Sequence, residues 1–401
     1  MPGVFDKSFG QYLLALIIGL IFLILYCVLV RNTEGMEITK SVNSKWNRNK
    51  CDYVMNKTLE DELASNNIDH SSTKWDLYFP CGYDEIDKEV DMMPIVKGAK
   101  YFIIDNIDVI VAKEWLWKNV VDHYGLEKAK SFLPNSYVLY ETAERNRFLE
   151  EFDNKKIYIM KKNIQRQEGL KITNSKEEII HGDEHGYVIV QELLQNPYII
   201  AGRKTNMRFY VLVVCYNKQI NVFAHSEGFM YYTKQLFTKG SMAIEPNITT
   251  GYIERQVYVD NPLTHGDLRK YLDDESRINL LQVEKNIRMQ ELKISKVYFD
   301  RIYDLLRNVF ITFVGKICKN QKFTDNVMFQ LFGVDIAVDN NLNPMIMEIN
   351  KGPDMGAKDE RDSQLKHGVM RDILNIIGVV DYDANTQNKF IKILDTKDLI
   401  S

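Results

Sequence analysis

Asp335, Glu348 and Asn350 are the residues of this chain best placed to do chemistry, and all three fall in the stretch FQLFGVDIAVDNNLNPMIMEIN at 329–350. Two apolar runs flank an Asp-Asn-Asn-Leu-Asn segment and Pro344 opens the second run, so the spacing predicts a hairpin. Centred on Asn341 and Leu342, it sets Asp335 opposite Glu348 and Ala337 opposite Ile346. Side chains alternate between faces, so Asn350 joins the two carboxylates, while Val334, Ile336, Met347 and Ile349 form an apolar face for a core. Carboxylates directly opposite each other repel unless something cationic lies between them. Mg²⁺, completed by waters and phosphate oxygens, prefers such an oxygen set, which points to a metal-nucleotide site. Solvation, or pairing with Lys and Arg elsewhere, is the alternative for such carboxylates.

Cations lie upstream. Lys161 closes the apolar run IYIMKK and precedes a polar loop, Asn163 to Gly169, where its ammonium could meet a phosphate; lysines also end strands for no such reason. With a single glycine, this loop is no Walker motif. The run YVIVQELL at 187–194 leaves a buried strand before Asn196-Pro197, so the backbone of Gln191, Glu192 and Leu193 could meet a purine edge, or simply enter a turn. Arg203-Lys204-Thr205-Asn206-Met207-Arg208 then places Lys204, Asn206 and Arg208 on one face of a strand. A positive stripe on a buried sheet suits an anionic ligand; a solvated edge is the other reading.

The elements that must hold these groups read as α+β. Residues 31–74 are polar and predict a tether with at most one short helix, and order begins at Trp75. A small α/β piece follows over 75–155, with a helix at 113–124 burying Trp115, Trp117 and Val121. A larger domain spans 156–380, with strands first, a helical insertion at about 263–320, the hairpin, and an amphipathic helix near 364–377; a tail of 381–401 ends the chain. Strands, then helices, then strands argue against a doubly wound sheet.

Composition bounds the partners. At 401 residues, net charge −4 and pI near 6.1, the chain has room for two or three subdomains and no general affinity for nucleic acid. Five scattered cysteines without a CxxC predict a reduced protein without disulfides or zinc. Residues 12–30 carry no charge and are long enough for an uncleaved single-pass membrane anchor, preceded by a short tail at 1–11; the rival, a cleaved signal peptide, lacks a basic n-region and a small-x-small site before Arg31. Arg31, Lys40, Lys45, Arg48 and Lys50 all follow that segment, which predicts that the larger domain faces the cytosol and leaves the sequons at Asn56 and Asn247 unused.

Taken in order, the lysine strand, the QEL strand, the RKxNxR stripe and the GxD…ExN hairpin resemble the tubulin–tyrosine ligase-like family of the ATP-grasp superfamily. The resemblance runs from about Trp75 to Ile377 and is most specific in YIMKKNIQRQEGLKI, YVIVQELLQNPYIIAGRKTNMRFYVLVV and FGVDIAVDNNLNPMIMEINKGPDM, with DLYFPCGYDEID, KEWLWKNVVDHYG and LPNSYVLY upstream. It implies an ATP-grasp domain behind a small pre-ATP-grasp domain, with ATP and Mg²⁺ as cofactors. Lys161 would bind phosphate, Gln191, Glu192 and Leu193 would form the adenine hinge, and Lys204 and Arg208 would serve the phosphates and the acceptor. Asp335, Glu348 and Asn350 would hold Mg²⁺. The implied reaction is ATP-dependent ligation of an amino acid to a protein, tubulin or a tubulin-like acidic tail among the acceptors, through an acyl phosphate.

Three departures bear on the second substrate. Asn206 replaces the family's Asp, Tyr231 stands where an Arg follows Glu227-Gly228 in many members, and the loop after Lys161 keeps one glycine. Arg203, Arg255 or Lys234 are the residues that could stand in for the missing arginine. The rival readings are a nucleotide-binding pseudoenzyme serving as a membrane-tethered adaptor, and an interaction protein without nucleotide.

Overall fold

The β-branched and aromatic runs at 203–232 form the two longest strands of the molecule, and the rest of the fold is arranged around them. The structure is a computed structural model and describes residue 38 and residues 44–48, 54–82, 86–164, 169–251 and 253–399. The apolar segment 12–30 lies outside the described residues; among the described residues no helix is long and apolar enough to cross a membrane.

Four short strands come first: β1 (Lys45–Asn47), β2 (Asp69–His70), β3 (Leu77–Tyr78) and β4 (Lys100–Tyr101). β5 (Ser136–Val138), β6 (Tyr158–Lys161), β7 (Leu170–Thr173) and β8 (Ile189–Glu192) make a separate four-stranded sheet in the order β5-β8-β6-β7. β9 (Ile199–Ile200), β10 (Arg203–Tyr216), β11 (Gln219–Tyr232), β12 (Val327–Val338), β13 (Pro344–Asn350) and β14 (Phe390–Asp395) complete the set. The large sheet runs β14-β11-β10-β12-β4-β3-β1-β2, with β13 on β12 and β9 on β10. The α+β expectation therefore holds.

Side-chain alternation decides what each face does. Met207, Phe209, Met230, Tyr232, Val334 and Ile336 are at most 1% exposed and pack on the helical insertion. Its longest helix, Ile294–Phe310, buries Tyr298, Phe299, Ile302, Leu305, Leu306 and Val309, a helical i, i+4 stripe. Each such side chain contributes about 1.5–3 kcal/mol on burial. Lys204, Asn206, Arg208, Asp335, Glu348 and Asn350 fall on the opposite face, as their spacing predicts.

Four expectations need correction. Residues 31–74 are not only a tether: β1 and β2 extend the large sheet, and the helix Lys57–Ser65 docks through buried Glu62, which accepts from Arg371 at 3.0 Å and pairs with His367 at 2.9 Å. The piece 75–155 is shared between sheets, because β3 and β4 join the large one and β5 the small one. The tail 381–401 contributes β14, paired with β11. Sequence polarity hid the first two, since two- and three-residue strands carry too few positions to show a period, while the six-residue β14 was lost among the charges of the polar tail.

The cysteines are the fourth. Cys215 and Cys318 form a disulfide across 103 residues. Cys81 is disulfide-bonded as well. No local spacing announces the first bond, because only the sheet brings the end of β10 to the segment preceding β12.

Candidate functional site

The hairpin of β12 and β13 carries the carboxylates. Asp335 pairs with Glu348 and Gly333 with Asn350, as expected, but Ile336, not Ala337, faces Ile346. A bulge at Met347 absorbs the extra residue, and bulges re-aim groups beside functional sites. Here it turns the Met347 carbonyl outward, where Lys161 Nζ donates to it at 3.3 Å. That bond links the two sheets at the centre of the site. Gly333 is required beneath it: a Cβ there would lie 2.9 Å from Pro353 Cβ and 3.1 Å from Arg208 Cδ.

The neighbouring strand supplies the cations. Arg208 sits directly across from Asp335 and holds it in a two-pronged pair, Nε to Oδ1 at 2.6 Å and Nη2 to Oδ2 at 3.1 Å. Burial pushes the Asp335 carboxyl above its usual range, against the pull of Arg208, and the Glu348 charge adds to the rise. Lys204 is 2% exposed, and its ammonium has no hydrogen-bond or ion-pair partner among the described residues. Burial, helped by the nearby Lys161 charge, brings Lys204 down to about 8. Lys161 falls to about 8 for the same first reason, opposed by Glu348 and reinforced by Lys113. Burying ammonium groups without matching anions is costly, so this arrangement suits an arriving polyanion.

Lys113 is a residue that sequence reading missed. It opens the helix Lys113–Tyr124, where it passed as an ordinary first-turn lysine, yet it lines one gap with Gln191 and Glu348. A second, wider cavity of about 400 Å³ is lined by Lys113, Lys351, Glu348 and Asn350. Trp115, expected in the core, is 45% exposed at this cavity's edge, whereas Trp117 is buried as expected.

The strand predicted to supply free backbone at Gln191, Glu192 and Leu193 has its Glu192 and Leu193 N–H groups already engaged, which leaves their carbonyls to meet a purine edge. β8 is an inner strand, with Glu192 N–H donating to Asn135 O at 2.9 Å and Leu193 N–H to Ile157 O at 2.8 Å. The first amide past them without a backbone acceptor among the described residues is that of Leu194. Gln191 keeps a buried Oε1 with no partner, while its Nε2 donates to Ser136 at 2.8 Å. The Glu192 carboxylate instead binds Lys156 and Asn135 at 2.8 and 2.9 Å. Leu193 joins Ile157, Ile159, Leu170 and Ile172 in an apolar cluster closed by Ile248, whose loop carried no signal in sequence. This surface suits a flat ring.

At the other end of the site, Tyr231 lies across from Asn206 and its ring packs 5.2 Å from the Arg208 guanidinium. Asn206 Oδ1 is buried without a partner. Arg203 cannot replace the missing arginine, because its guanidinium donates to the Thr233 and Lys234 carbonyls at 2.8 and 2.6 Å. Among the described residues no group of three or more His, Cys, Asp or Glu forms a metal cluster, so any metal would rely on Asp335, Glu348 and the Asn350 amide. Two carboxylates and an amide are oxygen donors of the kind Mg²⁺ takes, and in this structure Arg208 engages both oxygens of Asp335. Asn247 is buried, and its amide nitrogen donates to the Ser241 and Ala243 carbonyls at 2.8 and 2.9 Å, leaving no room for a glycan in the fold.

The tubulin-tyrosine ligase family model matches residues 103–388. A probable tubulin polyglutamylase, ttll-9 of Caenorhabditis elegans, is 29% identical over 62% of this chain and 58% of its own length. The human tubulin monoglutamylase TTLL4 is 25% identical over 67% of this chain and 22% of its own. A probable beta-tubulin polyglutamylase of Tetrahymena thermophila is 24% identical over 61% of this chain and 21% of its own. The matches thus span from a fifth to under two thirds of these relatives.

Proposed function

The chain belongs to the tubulin-tyrosine ligase family, whose enzymes are ATP-dependent ligases forming amide bonds, and from that premise we propose that it joins an amino acid to a protein through an acyl phosphate. The observation that carries this reading is a pair of buried lysines, Lys161 and Lys204, facing a strand pair that bears Asp335, Glu348 and Asn350. Lys161, Lys204 and Lys113 would bind the phosphates of ATP, and the apolar cluster around Leu193 and Ile248 would hold the base. Mg²⁺, held by Asp335, Glu348 and Asn350, would neutralise charge on the transferring phosphoryl.

A substrate carboxylate attacks the γ-phosphorus, ADP departs, and an amine then displaces phosphate from the acyl carbon with loss of a proton. The protein's part is to position both partners and stabilise charge, so no protein nucleophile is needed. Glutamate is the first amino acid to try, since the relatives' names carry it. Residues 12–30 would anchor the enzyme in a membrane.

A second reading, a nucleotide-binding pseudoenzyme, is favoured by one observation: Tyr231 and Asn206 occupy the second-substrate end, where Tyr231 covers Arg208. Mg-dependent ATP binding, followed as thermal stabilisation, tests the site itself. Wild type should be stabilised, and Glu348→Gln and Lys161→Ala should each lose tenfold or more in affinity while staying folded. A Glu348→Gln protein that binds Mg-ATP like wild type would remove the metal assignment. ADP release with glutamate and candidate acceptors then separates ligase from pseudoenzyme.

A further inference from the structure

Cys215 lies near the end of β10, and Cys318 in the segment between the helix Ile294–Phe310 and β12. Their Cα atoms are 6.2 Å apart, within the span over which two cysteines join without backbone movement. The bond closes a loop that contains β11 and the helical insertion. Asn217, Lys218, Lys319 and Thr324 line a shallow cavity of about 40 Å³ beside it. Lys204 lies eleven residues back along the same strand, roughly 35 Å away at the usual strand rise. The bond is therefore no part of the nucleotide site.

Cys81 is a second, independent case, also disulfide-bonded. Structural disulfides are rare where glutathione and thioredoxin keep thiols reduced. The charges that predicted a cytosolic face also weaken on inspection. Lys45 belongs to β1, and Arg48 donates from Nη2 to the carbonyls of Pro80 and Cys81 at 3.3 and 3.4 Å. Two of the five cations counted as a membrane flank are thus parts of the folded domain.

We propose that this domain folds and acts in an oxidising compartment, stapled by Cys215–Cys318, and that its acceptor is a protein of that compartment rather than tubulin. The acceptor half rests on the ligase reading; the staple does not. In forming the bond the two thiols give up two protons and two electrons to the disulfide of a thiol oxidoreductase, which is released as a dithiol.

The full chain, made in its own cells, is acid-quenched, treated with N-ethylmaleimide before any reduction, digested and weighed. Peptides holding Cys215 and Cys318 should emerge joined and unalkylated; alkylation of both in folded protein overturns the proposal. Purified wild type should lose several degrees of melting temperature in dithiothreitol, and the Cys215→Ala/Cys318→Ala variant clearly less, its remaining loss being that of the Cys81 bond; an equal loss in both overturns the staple. Mg-ATP stabilisation is read on the same samples. A linked cystine without it sinks the ligase reading alone, and free thiols with it sink the compartment alone. Labelled glutamate entering tubulin overturns the acceptor half.

Discussion

Lys161 and Lys204 show how little a residue's type says without its surroundings. Both are buried, and burial lowers each to about 8 from an ordinary value near 10.5. Each is therefore protonated below about pH 8 in the fold but up to about 10.5 when unfolded. The unfolded chain binds more protons in that window, so these groups make the ligand-free protein less stable below it and relieve that penalty as pH rises from 8 towards 10.5. Nucleotide binding has the opposite dependence, since phosphate needs the charged lysines. ATP affinity should fall as pH passes 8, and Lys204→Met should flatten the curve; titration by calorimetry at pH 7 and 9 checks it. An affinity indifferent to pH would place the phosphates elsewhere. Asn206 and Tyr231, legible in sequence only as departures, gain meaning from register: one faces the other, and the second covers Arg208.

At the scale of elements, the hairpin was the most legible feature and also the one misplaced by a residue. Alternation set Asp335 against Glu348, but no pattern announced the bulge at Met347, because a bulge costs the sequence only one extra residue. The turn is held by Asp339, whose Oδ1 accepts from Asn341 and Asn343 N–H, both at 2.8 Å, while Leu342 takes a φ of 60°. Asp339→Ala removes both part-buried bonds and should cost about 1 kcal/mol in denaturant unfolding. It should also weaken Mg-ATP binding, because the turn sets the register of Glu348. Unchanged affinity at reduced stability would mean that the bulge, not the turn, positions the carboxylates. β8 differs in another way: its apolar run ends where predicted, but its pairing with β5 and β6 takes up the N–H groups at that end and leaves the carbonyls.

For the whole molecule, the polar segment before Trp75 matters most. Thr58 donates to the Met355 carbonyl at 2.7 Å, just past Asn350, and Glu62 pairs with Arg371 on the helix Glu360–Ile376. A chain beginning at residue 75 should melt well below one beginning at residue 44, or aggregate, because it uncovers β3 and leaves Arg371 unpaired. Equal melting curves would restore the tether reading. By itself the sequence determined the candidate residues, the α+β class and the strand faces, because alternation and charge placement are local properties of the chain. Only the tertiary structure decided the Met347 bulge, the recruitment of Lys113 and Ile248, the engaged N–H groups at the end of β8 and the Cys215–Cys318 bond. Each depends on which distant segments the sheets bring side by side, and sequence spacing carries no record of that.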